Sequence, residues 1–378
     1  MKAVLNFSLE RLRGFSSVRR WLLKVGSSSE RGYTEYRYMY SLAGLCRFSG
    51  CGPDELVRMR LEDLRSEDLD GRSRVDDLVL DYLASIKSRS LKHCEAVALK
   101  SFFKHNTVPL SLKAPAAGRT VSEKIPTQNG LAAMIEVASI RGKALIAFLA
   151  QSGVRESTLC RLRYRNIKED FEGERLPVHI HIEPDERTKI KDLPFYHTFI
   201  AADSVKYLKL YFKMRAEGSE KIPCEVIYDE SPLFRQEESR RIIPIREASV
   251  RFIVRQAAEK AGLVKLSRMP RTKGPPSWSP IRPHSLRKFF ETGLESANIP
   301  PTWIEHLMGH KTTTYSKPTV EQLREAYVKA TPYLSLAEGE ASIKQGKELQ
   351  ALKERIAYIE SQIAKSNREV DQAMKDDS

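Results

Sequence analysis

Two histidines, an arginine and a tyrosine come close together in the last third of the sequence. His284 and Arg287 are three residues apart, so they share one face of a helix. His310 follows in a Met-Gly-His-Lys turn, and Tyr315 comes five residues after it. Fixed cations and hydrogen-bond donors can stabilise the charge that builds up on a phosphate when a phenol attacks it. These residue types therefore suit phosphoryl transfer to a tyrosine.

The nucleophile has to be chosen among three tyrosines. Tyr327 falls on an apolar stripe with Leu323, Ala326 and Ala330 at helical spacing, which indicates a packing residue. Tyr333 follows Pro332 and is predicted to lie beyond the end of that helix, whose start is predicted at Pro318 and Thr319. Tyr315 lies before the helix in a polar, threonine-rich segment. We favour Tyr315 and keep Tyr327 as the alternative.

The elements around these residues predict a mainly helical chain with a small β-hairpin, an α+β protein. Two helices are predicted from about residue 130 to Gly153, with Arg155 just after the second. Alternating Val178, Ile180 and Ile182 predict a strand, and residues 195–201 predict its partner. The polar, basic segment between the two strands is predicted to be the tip of the hairpin, and it contains Lys189 and Lys191. Helices are predicted again at 204–218 and 249–262.

The remaining pattern divides the chain into four parts. Residues 1–110 predict a helical N-terminal domain with recurring basic residues, and 111–125, rich in Pro, Ala, Ser and Lys, predict a linker. The larger domain is predicted over 126–336. Residues 337–378 predict a helical tail whose apolar stripe follows heptad spacing, as in a coiled coil. The stripe is short, so packing against its own chain remains the alternative to oligomerisation.

The composition of the chain limits which partners and which cellular compartment we expect. The formal net charge of +14 favours a polyanion, either nucleic acid or an acidic membrane surface. An uninterrupted apolar run of about 18 residues is missing, so we expect no membrane span. Charged residues interrupt the N-terminal apolar segment, which therefore does not match a signal peptide. Five cysteines without a C-x-x-C pair suggest reduced thiols in the cytoplasm and no zinc site. His179 and His181 are interpreted as strand residues rather than metal ligands.

The ordered set of motifs is similar to the catalytic domain of tyrosine recombinases and phage-type integrases. The motifs are S-G-V-R-x-S around Arg155, H-x-L-R from His284 to Arg287, L-M-G-H ending at His310, and the following tyrosine. The resemblance covers roughly residues 126–335, and the helical region before it resembles the family's DNA-clamping domain more weakly. The segment Tyr-Ser-Lys-Pro-Thr from Tyr315 resembles integrases of archaeal viruses and plasmids in particular.

The resemblance implies a site-specific DNA recombinase that cuts and rejoins strands through a covalent 3′-phosphotyrosine. Arg155 and Arg287 are expected to hold the phosphate, His310 to hydrogen-bond it, and His284 to assist proton transfer at the nucleophile. Lys189, or Lys191 if the hairpin register differs, is expected to protonate the leaving 5′-oxygen.

The implied partners are double-stranded DNA with specific attachment-type sites and further copies of the chain, as a tetramer on DNA. The resemblance implies no metal, nucleotide or other cofactor. The same residues also fit a type IB topoisomerase, a telomere resolvase or a catalytically silent DNA-binding relative.

Two positions depart from the family pattern. Many members have an acidic residue three positions after the first arginine, where this chain has Thr158, so Glu156 is considered as a support for Arg155. The family tyrosine also usually lies farther from the second histidine than the five residues here. Such a short tether suggests that Tyr315 is delivered flexibly or to a neighbouring subunit.

Overall fold

The computed structural model divides the chain into two compact units, which are considered separately. It describes residues 7–25, 33–116, 123–183, 195–219, 223–237, 239–265, 279–310 and 318–336. The described part is mostly helical with a two-stranded antiparallel sheet, which confirms the predicted fold class. Lys189, Lys191, Tyr315 and the predicted helical tail lie outside the described residues.

The first unit is a small helical bundle. Within its described residues the helices are α1 (Leu9–Arg13), α2 (Ser16–Val25), α3 (Tyr33–Ser49), α4 (Pro53–Arg65), α5 (Leu69–Ser85) and α6 (Arg89–His105). Trp21 of α2 packs edge-on against Phe102 of α6, with ring centroids 5.2 Å apart, and both are fully buried. The indole N–H of Trp21 donates to Ser101 Oγ at 3.1 Å, so the buried polar atom is satisfied.

The chain that leaves α6 stays packed on this unit through its described residues up to 116. Leu110 and Leu112 are buried in the same core as Trp21. The buried Arg60 guanidinium donates to the Pro109 carbonyl and pairs with Asp76 at 2.9 Å. The first part of the predicted linker is therefore irregular chain that is held by side chains of the bundle.

The second unit contains the remaining elements. They are α7 (Gln128–Glu136), α8 (Ile140–Ser152), α9 (Glu156–Leu159), α10 (Lys168–Glu172), β1 (Val178–Ile182), β2 (Tyr196–Ile200), α11 (Ala202–Glu217), α12 (Glu247–Lys260), α13 (Pro283–Ser296), α14 (Pro301–Met308) and α15 (Val320–Leu334). Every residue of α8 from Ala144 to Ser152 is buried, and all of them except Gln151 are apolar or small. α8 is accordingly the central helix of this unit, with α7, α11, α12 and α13 packed around it.

The sheet lies against the end of α8. β1 and β2 pair antiparallel with Ile180 opposite Thr198 and His181 opposite His197. The Thr198 hydroxyl donates to the Ser152 carbonyl at 2.8 Å, which fixes the sheet to the last turn of α8. The two predicted strands are confirmed.

Helix α15 begins where the sequence predicts and continues farther than expected. Thr319 is its N-cap and accepts a hydrogen bond from the Gln322 amide at 3.2 Å. The prediction that Tyr333 lies beyond the helix end is wrong, since α15 continues through Pro332 to Leu334. The Gln128 side chain donates to the Pro332 and Ser335 carbonyls, so the last turn is held by α7 from outside. Among the described helices, none is long and apolar enough to cross a membrane.

Tyr327 is buried in the core of the second unit, as the apolar stripe predicted. Its ring packs near Phe199 and Phe290, and its hydroxyl donates to the Gln151 carbonyl at 2.9 Å. Full burial raises the pKa of Tyr327 well above its usual value. A phenol in this position is a structural group.

Replacing Tyr327 with Phe is expected to lower the stability of the chain. The change leaves the buried Gln151 carbonyl without the hydroxyl donor, at a cost of about 1–3 kcal/mol. The midpoint of urea-induced unfolding measures the loss. The matched control is Tyr228→Phe, because Tyr228 is 58% exposed and its substitution removes a solvated hydroxyl. Equal midpoints for the two variants contradict a structural role for the Tyr327 hydroxyl.

Candidate active site

The site is built where two helices end. α8 ends at Gly153 and α14 ends at Gly309, and both glycines have the left-handed conformation, with φ of 63° and 64°. The last carbonyl groups of a helix have no partner within the helix and carry partial negative charge. Arg287, on α13, donates to the Gly153 carbonyl and to the Met308 carbonyl, both at 2.6 Å. One guanidinium therefore joins the two helix ends.

A second arginine lies beside the first. Arg155 lies two residues after Gly153, is half-buried, and donates to the Gly309 carbonyl at 3.4 Å. Burial, and then the nearby charge of Arg155, lower the pKa of Arg287 to about 10, so the Arg287 guanidinium stays charged at neutral pH. Two adjacent forks with fixed positions can bind the oxygens of one phosphate and gain from its negative charge.

His310 is held by the turn that ends α14. The Gly309 amide donates to the His306 carbonyl and the His310 amide to the Glu305 carbonyl, the paired bonds of a Schellman motif. This motif brings the side chains of His310 and Glu305 together, and Nδ1 of His310 lies 2.6 Å from a carboxylate oxygen of Glu305. The Arg287 guanidinium lies 2.8 Å from the other ring nitrogen, Nε2.

These contacts assign the tautomer of His310. A guanidinium can only donate, so Nε2 must accept the hydrogen bond from Arg287. Nδ1 therefore carries the hydrogen and donates it to Glu305. Both ring nitrogens of His310 therefore have a hydrogen-bond partner, and Nε2 faces the guanidinium of Arg287.

His284 lies in the first turn of α13, one turn before Arg287, and is accessible at the surface. Partial burial lowers the pKa of His284. The Glu123 carboxylate acts in the opposite direction, whereas Lys288, Arg282 and Arg287 lower the pKa further. A histidine with a lowered pKa is neutral at neutral pH and can accept a proton.

The structure brings four of the predicted site residues together: Arg155, His284, Arg287 and His310. The suggestion that Glu156 supports Arg155 is wrong, because Glu156 pairs with Arg251 of α12. The contact of Arg155 is with the Gly309 carbonyl instead. Sequence reasoning missed Glu305, although its place at the end of a helix closed by glycine was a usable signal for contact with His310.

Close packing makes glycine necessary at position 309. A Cβ on Gly309 would lie 2.6 Å from the Tyr196 ring of β2. Tyr196 is buried against this turn, and burial raises the pKa of its hydroxyl. The sheet therefore limits how the turn between Met308 and His310 can be placed.

Residues 127–317 match the model of the phage integrase family. The chain belongs to this family. Among curated members, tyrosine recombinase XerA of Pyrococcus horikoshii is 26% identical over 242 residues, which are 62% of this chain and 71% of that protein. XerA of Pyrococcus furiosus is 25% identical over 275 residues, 69% of this chain and 82% of that protein.

Solved structures of integrases and recombinases are also similar to this chain. A crystal structure of XerA recombinase is 18% identical, with a TM-score of 0.36, and the match covers 88% of this chain and 97% of that chain. XerH site-specific recombinase bound to difH substrate is 14% identical, with a TM-score of 0.46, covering 77% of this chain and 76% of that chain.

Replacing Gly309 with Ala is expected to destabilise this integrase more than the same change at Gly262. Both glycines have positive φ, which costs an alanine about 1–2 kcal/mol. A Cβ on Gly262 meets nothing within 4 Å, so that variant measures the conformational cost alone. Urea unfolding measures the loss of stability in each variant. The additional loss in Gly309→Ala is the cost of the clash with Tyr196. Equal losses of stability show that the turn has room to move.

Proposed function

We propose that this integrase recombines double-stranded DNA at specific sites by cleaving and rejoining strands through a 3′-phosphotyrosine. The observation that carries the proposal is the meeting of Arg155, Arg287 and His310 around the ends of α8 and α14. Two fixed guanidinium groups with an imidazole beside them suit a phosphate whose non-bridging oxygens gain charge during attack. The curated relatives named tyrosine recombinase support the same chemistry.

In the proposed reaction the Tyr315 phenol attacks the phosphorus and the bond to the 5′-oxygen breaks. His284 takes the phenolic proton, and Lys189, or Lys191, gives a proton to the 5′-oxygen, which leaves as a hydroxyl group. The tyrosyl phosphodiester conserves the energy of the broken bond. A 5′-hydroxyl from another strand then attacks it and releases the tyrosine, so rejoining needs no nucleotide.

His310 has to change its hydrogen bonding in this reaction. Its Nε2 accepts a hydrogen bond from Arg287 in this structure. Donation to a phosphate oxygen requires a hydrogen on Nε2, and the Glu305 carboxylate at Nδ1 holds the ring in position for that contact. Glu305 therefore suits the role of orienting the His310 ring towards a bound phosphate.

Charge supports DNA as the partner. The chain has a net charge of +14, and the proposed assignment for residues 1–110 is a DNA-clamping domain joined by the linker to the catalytic domain at 126–336. The proposed assembly is a tetramer on DNA, to which the tail at 337–378 contributes, and the proposed compartment is the cytoplasm.

A covalent adduct tests the function. Incubation with a nicked suicide substrate, which loses the fragment needed for resealing, is expected to trap the protein on the 3′-phosphate. Mass spectrometry of the digested adduct is expected to place the DNA on Tyr315. Tyr315→Phe is expected to form no adduct, whereas Tyr327→Phe is expected to form it, because the Tyr327 hydroxyl is buried.

Two results would count against this assignment in different ways. An adduct on Tyr327 contradicts the choice of nucleophile while leaving the reaction type intact. If the wild-type chain forms no adduct on any substrate that it binds, the chain is a DNA-binding relative without activity.

Delivery of the tyrosine to a neighbouring subunit predicts complementation. Tyr315→Phe keeps the arginine cradle and lacks the nucleophile, and Arg287→Ala keeps the nucleophile and lacks part of the cradle. A mixture of the two is expected to form an adduct on the Arg287→Ala chain, although each variant alone is inactive. Labelling one chain identifies which of the two carries the DNA. A mixture that assembles on DNA and stays inactive rules out delivery between subunits.

A further inference from the structure

A carboxylate from outside α13 holds the first two turns of that helix. The Glu123 side chain is 13% exposed. One of its oxygens accepts from Arg282 Nε at 3.2 Å and from Ser285 Oγ at 3.3 Å, and the other pairs with Lys288 Nζ. The adjacent Lys124 amide donates to the Pro280 carbonyl at 3.0 Å. The chain that enters the second unit is therefore fixed to the start of α13 by side chain and backbone.

Glu123 supplies a charge that the helix itself lacks. The first turn of α13, Pro-His-Ser-Leu, contains no acidic residue. Negative charge near the N-terminus of a helix is favourable, because the first amide groups carry partial positive charge. Glu123 supplies this negative charge, and it also pairs with Arg282 and Lys288, the basic side chains on either side of His284.

The charges facing His284 are otherwise positive. Among the described residues that act on it, Arg282, Lys288 and Arg287 make its protonation less favourable, and Glu123 makes it more favourable. They come from the segment before α7 and from the beginning of α13, the two parts of the chain that meet at this point.

We propose that Glu123 is a positioning residue for strand cleavage, which fixes the start of α13 and keeps His284 able to take the proton of the attacking phenol. The inference rests on the proposed function, because it assigns His284 to that proton transfer. It adds a residue that lies outside the four family motifs and at the boundary of the predicted linker.

The sign of the effect follows from the charges. A general base works in its unprotonated form, so the cleavage rate falls as pH drops through the pKa of His284. Removing the negative charge of Glu123 leaves the cations unopposed and lowers the pKa of His284. The acid-side decline of the rate therefore moves to lower pH in Glu123→Gln. A residue with a purely structural role changes the rate without moving this decline.

The test measures His284 in two ways on the full chain. NMR titration follows its imidazole signal, which is assigned by its absence from His284→Gln. Single-turnover adduct formation on the suicide substrate follows the rate against pH. In Glu123→Gln both midpoints are expected to move to lower pH, with the rate at the plateau within about tenfold of wild type, since a glutamine oxygen still accepts from Ser285 and Arg282.

Two further variants make the result decisive. Lys288→Gln removes a facing cation and is expected to move both midpoints to higher pH, which tests the charge effect even if Glu123→Gln does not fold. Glu174→Gln removes a surface carboxylate that pairs with Lys209, and it is expected to leave both midpoints unchanged. Unmoved midpoints in both Glu123→Gln and Lys288→Gln overturn the inference.

Failure of the inference can be told apart from failure of the function. If wild type forms the adduct and the midpoints stay fixed, Glu123 has no such role and the recombinase function stands. If wild type forms no adduct, the proposed function fails, and with it the assignment of Glu123 to strand cleavage. The NMR titration then still reports whether Glu123 sets the charge of His284.

Discussion

The arrangement of the helices at the candidate active site depends on the buried guanidinium of Arg287. Burying a charged group costs several kcal/mol unless hydrogen bonds replace its water. Arg287 is 4% exposed and donates to the carbonyls of Gly153 and Met308 and to the ring of His310. These acceptors belong to two places in the chain, the end of α8 and the turn after α14. The positions of α8, α13 and α14 are therefore linked through one side chain.

Two glycines shape the turns that present those carbonyls. The left-handed conformation of Gly153 and Gly309 ends each helix and turns the chain away from it. Gly153 also lies so close to the Phe290 ring that a Cβ would be 2.2 Å from it. Gly309 is limited in the same way by Tyr196. Backbone conformation and close packing together fix the positions of the carbonyl groups to which the two arginines donate.

The carboxylates near the site serve the histidines rather than the arginines. Glu305 accepts from His310, and Glu123 lies beside His284, whereas Glu156 is taken by Arg251. Arg155 and Arg287 donate instead to neutral carbonyl groups, which do not cancel their charge. This arrangement keeps positive charge available for an anionic ligand, while each histidine has a carboxylate near it.

The sequence by itself determined the elements and the order of the motifs. The shared face of His284 and Arg287, the cap at Thr319, the two strands and the burial of Tyr327 all follow from local spacing, because helix and strand geometry fix which neighbouring residues share a face. Only the tertiary structure decided the pairs between distant residues: Glu123 with α13, Glu156 with Arg251, and Gln128 with the end of α15 beyond Pro332. Many basic and acidic residues could have paired equally well, and packing of the helices selects which of them come within hydrogen-bonding distance.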